Sequence, residues 1–236
     1  MYFIGWLQAQ YYLILPADKM PVVKLVYFDI QAKGEIIRLL LAAGNIDYED
    51  KRVSFEEWPA MKPTTTFGQM PMLYWDGEEL AQSMAMTRFV ARKVGLAGKS
   101  DMEFVQADMI ACHYEDIWTK LPKMKFAKTQ EEREELAKDF LTEFLPKWLQ
   151  PMENILEKRG NGWFAGSDAT YADLAIMCAL DFIQEPLEMS FKDMDNHAER
   201  CKILDSYPLL KANYQKTNAL PFVAEWKNKR PAFAGF

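Results

Sequence analysis

The hydrophobic period of the chain changes once, at Leu96-Ala97-Gly98-Lys99-Ser100, and this break limits the folds open to it. Before it, short apolar runs alternate with helical patterns; after it, every pattern is helical. Val22-Val23-Lys24-Leu25-Val26-Tyr27-Phe28 is a β-branched run suited to a buried strand, and Glu35 to Ala43 reads as a helix ended by Gly44. Asp47 to Val53 offers a second, more exposed strand. Met72 to Trp75 and Glu79 to Ala81 make a hairpin around Asp76-Gly77, and a helix runs from Gln82 to Lys93. The order βαβ, an irregular stretch, then ββα predicts a compact α/β unit whose first two strands are parallel through a right-handed crossover.

From Asp101 onward, Ile110, Tyr114, Ile117, Trp118 and Leu121 fall at helical steps, as do Leu141, Phe144, Leu145, Trp148, Leu149, Met152, Ile155 and Leu156. Pro146 should kink that second helix or mark a junction within it. Thr170-Tyr171-Ala172-Asp173 has the form of a capping box, its Thr170 hydroxyl placed to accept an amide hydrogen bond. Pro208 and Pro221 open the last two helices, and the EEREE run at 131–135 reads as a solvated helix face. The expected architecture is therefore α/β plus all-α. A thioredoxin-like domain spans 21–96, a linker 97–100, and an all-helical domain 101–236.

With 50% hydrophobic and 14% aromatic residues among 236, the chain can bury one large core or two smaller ones. A net charge of −6 and the lack of a basic stripe argue against a nucleic-acid partner. Cys112, Cys178 and Cys201 show no paired spacing, so neither a disulfide framework nor a metal site is suggested and a reducing cytoplasm is expected. His113 and His197 are isolated and read as structural or exposed, and Cys112 as packed in its helix. The uncharged run before Asp18 lacks the positive start and small-residue cleavage site of a secretory signal. It also stops at Pro16, short of the about 20 residues a spanning helix needs. Met20-Pro21-Val22 followed by a strand reads as a natural beginning, so residues 1–20 are expected to lie outside the fold, with a weak anchor as the alternative and no stable membrane insertion.

The stretch Gln69 to Ser83, QMPMLYWDGEELAQS, sets a strand edge beside a helix start. Such a pair can read one small ligand that carries both amide and carboxylate groups, since a helix N-terminus offers unpaired N–H groups and a partly positive field. Alone, Gln82-Ser83 reads equally well as a simple N-cap, and Trp58-Pro59 as a turn with a packed indole.

Taken together, Tyr27-Phe28 closing the first strand, KGEIIR at 33–38, Trp58 and Lys62, QMP at 69–71, QSMAMTRFVAR at 82–92 and GSDATYADLAI at 166–176 resemble the cytosolic glutathione transferases, most closely the sigma class. The resemblance covers about residues 21 to 230 and includes the haematopoietic prostaglandin D synthases and the cephalopod lens S-crystallins. It implies an enzyme that joins glutathione, as co-substrate, to a hydrophobic electrophile, with no permanently bound cofactor and a homodimeric state. It implies Tyr27 as the catalytic residue, its hydroxyl donating to the glutathione sulfur. Met70, before a cis Pro71, would pair with the cysteinyl unit, while Gln82 and Ser83 would hold the γ-glutamyl carboxylate. Trp58 and Lys62 would bind the glycyl end with help from Gln69, and Asp116 would reach the γ-glutamyl amine across the dimer interface. Phe28 would line the electrophile pocket.

Departures from the pattern also matter. Lys33 stands where sigma members commonly carry an arginine supporting the tyrosine, keeping the charge but losing the planar fork. Lys120-Leu121-Pro122-Lys123 lacks the aromatic of the prostaglandin synthases, and Cys112 replaces one carboxylate of their acidic metal cluster. Glutathione conjugation is the expected activity. A low-activity lens protein, a prostaglandin D synthase and a carrier of hydrophobic ligands are the alternatives.

Overall fold

The structure, a computed structural model, describes residues 20–184 and 202–233. The apolar segment 1–19, His197 and Cys201 lie outside them. The described residues form two compact units, one up to Ala97 and again from Ala219, the other between Gly98 and Asn218.

In the first unit, β1 (Val23–Phe28), α1 (Ala32–Ala43), β2 (Tyr48–Val53), α2 (Trp58–Met61), β3 (Met72–Trp75), β4 (Glu78–Leu80) and α3 (Ser83–Lys93) follow in chain order. The sheet runs β2-β1-β3-β4, with β1 and β2 parallel and the other neighbours antiparallel. Leu25 stands opposite Leu73 and Val26 opposite Met72, so alternate residues of β1 serve opposite faces. Val26, Val53 and Met72 form the core of one face, with Met61, Met70 and Tyr74 packed against it. α1 is buried almost all round: Ile36, Ile37, Leu39, Leu40 and Leu41 are fully enclosed, each such side chain contributing about 1.5–3 kcal/mol. The helix ends at Gly44 as expected, but the left-handed residue is Asn45, at φ 48°. Glycine is needed at 44 for space instead, since a Cβ there would lie 2.4 Å from Val94.

The second unit contains α4 (Asp101–Ile117), α5 (Leu121–Lys125), α6 (Gln130–Asp139), α7 (Leu145–Arg159), α8 (Tyr171–Gln184) and α9 (Pro208–Asn218). Ser100 caps α4 by accepting the Glu103 N–H. Every residue of α8 from Tyr171 to Ile183 is buried, and the helix packs against α4 and α9. At its start, the Asp173 carboxylate accepts the backbone N–H groups of Thr170 and Phe164 and the Asn213 side-chain amide. The Thr170 hydroxyl donates to that carboxylate rather than accepting an amide, because the Asp173 N–H is taken by the Thr170 carbonyl. The junction expected at Pro146 is a π-helical segment, Phe140–Phe144, directly before α7. His113 is structural: it stacks on Trp148, and each residue's ring nitrogen bonds the other's carbonyl. Cys112, expected to pack, is exposed, one step around α4 from the buried Ala111.

The chain then returns to the first unit. α10 (Pro221–Lys229), expected within the helical domain, packs on α1, with Phe222 and Val223 buried and the Trp226 indole bonded to Glu35. Among the described residues, no helix is long and apolar enough to cross a membrane.

Candidate active site

Tyr27 is the penultimate residue of β1 and is buried, 6% exposed, on the face shared by Leu25. Its ring lies over Gly34 in the first turn of α1, where an added Cβ would meet the ring at 2.4 Å. The turn between them runs through Asp29, Ile30 and Gln31, and α1 opens at Ala32 without a side-chain cap. Lys33, half-buried, sits in the same first turn. Phe28 points to the opposite face, where it stacks on Phe55 at 4.3 Å and meets Trp58 edge-on at 5.9 Å. Trp58 begins α2, and Lys62 begins the 3-10 turn that follows it.

The stretch from Gln69 to Ser83 folds as strand, turn, strand and helix start. The Met70–Pro71 bond is cis, and Gln82 takes φ 69° as it leads into α3, so that Ser83 is the first helical residue. The Gln82 amide donates to the Gln69 side chain at 3.5 Å. The stem of Lys62 lies beside Gly68, whose φ of +61° suits glycine. Lys62 thus lies beside the residue before Gln69, and Gln82 reaches Gln69 itself. The loop before Gln69 is latched to β4: Glu79 accepts the Thr66 N–H and hydroxyl with one oxygen and the Tyr74 hydroxyl with the other. The hydrogen bond from the Thr66 hydroxyl, followed by that from Tyr74, holds the Glu79 carboxyl below its ordinary value.

The first unit thus holds Tyr27, Phe28, Lys33, Trp58, Lys62, Gln69, Met70, Pro71, Gln82 and Ser83. Asp116 belongs to the second unit, exposed on α4 and 3.8 Å from His113. Among the described residues no group of three His, Cys, Asp or Glu side chains is placed to hold a metal ion.

Residues 10–92 match the family described as glutathione S-transferase, N-terminal domain, and residues 115–230 that described as glutathione S-transferase, C-terminal domain. Glutathione S-transferase 1 of Ascaris suum is 36% identical over 215 residues, which cover 90% of this chain and 98% of that protein. The chain belongs to the glutathione S-transferase family. The hematopoietic prostaglandin D synthase of Gallus gallus is 34% identical over 216 residues, 91% of this chain and 100% of that one. Among solved structures, a monomeric glutathione S-transferase of the hookworm Necator americanus matches with a TM-score of 0.75 at 33% identity, over 90% of this chain and 99% of that one.

In this glutathione S-transferase, the sequence reading missed a cluster of charged residues behind the Tyr27 turn. Arg38 is fully buried, its Nε bonded to both Asp50 oxygens at 3.2 Å and its Nη1 to the Ile30 carbonyl at 2.8 Å. Glu35, also buried, takes the Trp226 indole N–H at 2.8 Å and Arg230 at 2.6 Å on one oxygen and faces Arg38 at 3.4 Å with the other. Arg52 bridges Asp50 and Asp29. Tyr48 borders the cluster with a buried hydroxyl that burial, then Asp50, holds protonated well above the ordinary tyrosine range. One signal was visible: an arginine inside the apolar run Ile36-Ile37-Arg38-Leu39-Leu40-Leu41 must find buried partners.

Proposed function

We propose that this member of the family is a sigma-class enzyme that adds the thiolate of reduced glutathione to hydrophobic electrophiles, by nucleophilic aromatic substitution or Michael addition. The observation that carries this reading is Tyr27, at the end of β1 and against the start of α1, in one unit with the cis Met70–Pro71 bond and the Gln82-Ser83 helix start. Tyr27 donates to the sulfur; Met70 pairs with the cysteinyl backbone; Gln82 and Ser83 hold the γ-glutamyl carboxylate; Trp58, Lys62 and Gln69 hold the glycyl end. Lys33 adds positive charge beside the tyrosine, and Asp116 serves the γ-glutamyl amine of a partner subunit. Phe28 supplies apolar surface for the electrophile. The domain at 21–96 therefore binds glutathione.

Magnitudes decide where the rate comes from. A thiol with the ordinary pKa of about 8.5 is only a few per cent ionised at neutral pH. Lowering that pKa by about two units takes about 2.7 kcal/mol and raises the thiolate fraction about 25-fold. Lower basicity then removes most of an order of magnitude, with a Brønsted slope of about 0.4–0.5. Ionisation alone leaves a gain of a few-fold, so holding thiolate and electrophile together must supply the larger share.

A homodimer in the cytosol completes the reading. Its support is an exposed apolar stripe on α4, Met102, Val105 and Met109 at helical spacing, which borders a groove with Ile155 and Phe164. Glutathione-dependent prostaglandin isomerisation is the second reading, favoured by the similarity to the Gallus gallus prostaglandin D synthase. Lys123 and the exposed Cys112 weigh against it, as departures from the synthase pattern.

Steady-state turnover of a chlorodinitrobenzene-type substrate, with titration of the bound thiol by thiolate absorbance, tests the main reading. Tyr27→Phe should lower kcat about 3-fold at neutral pH, the net gain that ionisation leaves, and raise the bound-thiol pKa with glutathione affinity nearly unchanged. Ser83→Ala should instead raise KM for glutathione with kcat nearly unchanged. An unaltered thiol titration in Tyr27→Phe removes Tyr27 from the mechanism. Negligible turnover by a wild-type chain that still binds glutathione favours the lens-protein reading.

A further inference from the structure

The charged cluster behind β1 does more than fill space, because its hydrogen bonds end on the backbone that follows Tyr27. Arg38 donates from Nη1 to the Ile30 carbonyl at 2.8 Å and from Nη2 to the Phe28 carbonyl at 3.5 Å. These two carbonyls flank Asp29, whose own carboxylate is held by Arg52 at 2.6 Å. Two guanidinium groups that share Asp50 therefore grip three consecutive residues of the turn. The Arg38 guanidinium also lies 6.0 Å from the centre of the Tyr27 ring.

The end of the chain closes this grip from outside. Trp226 and Arg230 both bond Oε1 of Glu35, which leaves Oε2 for Arg38. The Phe233 ring lies 4.7 Å from the Arg52 guanidinium, 5.1 Å from that of Arg230 and 5.5 Å from that of Arg38. One aromatic ring thus covers three cations, an arrangement favoured by the ring's quadrupole and by the planarity of guanidinium. The segment from Trp226 to Phe233 fixes Glu35, Glu35 orients Arg38, and Arg38 fixes the carbonyls on either side of Asp29.

A phenol that must donate to a sulfur works only within a small positional tolerance, and a misplacement of about 1 Å can cost about 100-fold in rate. We propose that Arg38 and the C-terminal segment Trp226–Phe233 form a clamp that holds the turn after Tyr27, which makes Arg38, Arg230 and Phe233 positioning residues for the transferase reaction. This rests on the reading of Tyr27 as the sulfur's hydrogen-bond donor. None of the three touches the thiol; each acts through the backbone of the turn.

Arg38 is fully enclosed and its replacement would deprive Glu35 and Asp50 of a buried partner, so the clamp is tested at its periphery. The full chain carrying Arg230→Gln and Phe233→Ala is compared with wild type, with Arg230→Lys and with Tyr27→Phe, measuring kcat, KM for glutathione and the bound-thiol titration. The double variant should lose up to about 3-fold in kcat and show a raised bound-thiol pKa, with KM for glutathione unchanged. Arg230→Lys, which keeps a cation on Glu35, should retain most of the activity. If the double variant has wild-type kcat and thiol titration while Tyr27→Phe alters both, the segment is structural only and the proposal falls alone. If Tyr27→Phe leaves the titration unchanged, the reading of Tyr27 fails and the clamp with it.

Discussion

Gly34 shows how much one missing methyl group can matter. In the interior of a helix, alanine is ordinarily preferred over glycine by about 0.5–1 kcal/mol. Here a Cβ would stand 2.4 Å from Cδ1 of Tyr27, and overpacking of that kind costs about 1–3 kcal/mol. The clash therefore wins. Gly34→Ala should lower kcat up to about 3-fold by displacing the Tyr27 ring and leave KM for glutathione close to wild type, as steady-state kinetics will show. An unchanged kcat would mean that the ring tolerates displacement. The glycine itself was visible in the KGEIIR segment, but its contact was not, because helix and strand meet across a turn and neither periodicity reports the distance between them. Arg38 is the opposite case: its oddity was legible in an aliphatic run, while its partners came from β2 and two backbone carbonyls.

At the scale of elements, strand and helix order was legible because β-branched runs, the Asp76-Gly77 turn and helical periods are local signals. Loop attachment was not. The Glu79 latch joins β4 to Thr66, thirteen residues back, through side chains that also suit ordinary solvated surface. Its acidity gives a pH test. Because the folded carboxyl is held below its ordinary value, its contribution is complete above the unfolded pKa of about 4.3 and disappears as the pH falls through the lowered value. Wild-type KM for glutathione should stay level from neutral pH down to about 4.3 and rise as the pH falls further, through the lowered value. Glu79→Gln should carry a KM raised about 2- to 10-fold throughout, with no such acid rise of its own. If wild type and Glu79→Gln share one pH profile, the latch does not support the glutathione loop. Helix junctions fall between these cases: Pro146 announced a break, and the structure answers it with a widened turn, whereas Pro151 sits inside α7 on its exposed side.

For the whole molecule, assembly is the property most open to test, since one similar hookworm transferase is described as monomeric. Met102 and Met109 are 65% and 61% exposed, large apolar side chains that a second copy would cover. Met102→Lys with Met109→Lys should weaken self-association at least about 10-fold, as read by sedimentation at micromolar concentration. A wild-type chain that sediments as a monomer ends the role given to Asp116. The hardest feature to foresee was also one of whole-chain reach. The bonds from Trp226 and Arg230 to Glu35 span 191 and 195 residues, and no local pattern in a last short helix announces so distant a partner. This reach bears on how the protein is made. Synthesis runs from the N-terminus, so the sheet and α1 leave the ribosome with Glu35 lacking its indole and guanidinium partners, and the entire second unit must follow before α10 arrives. The Tyr27 turn is among the first parts of the molecule to be translated and, with the clamp closing over it, among the last to be finished.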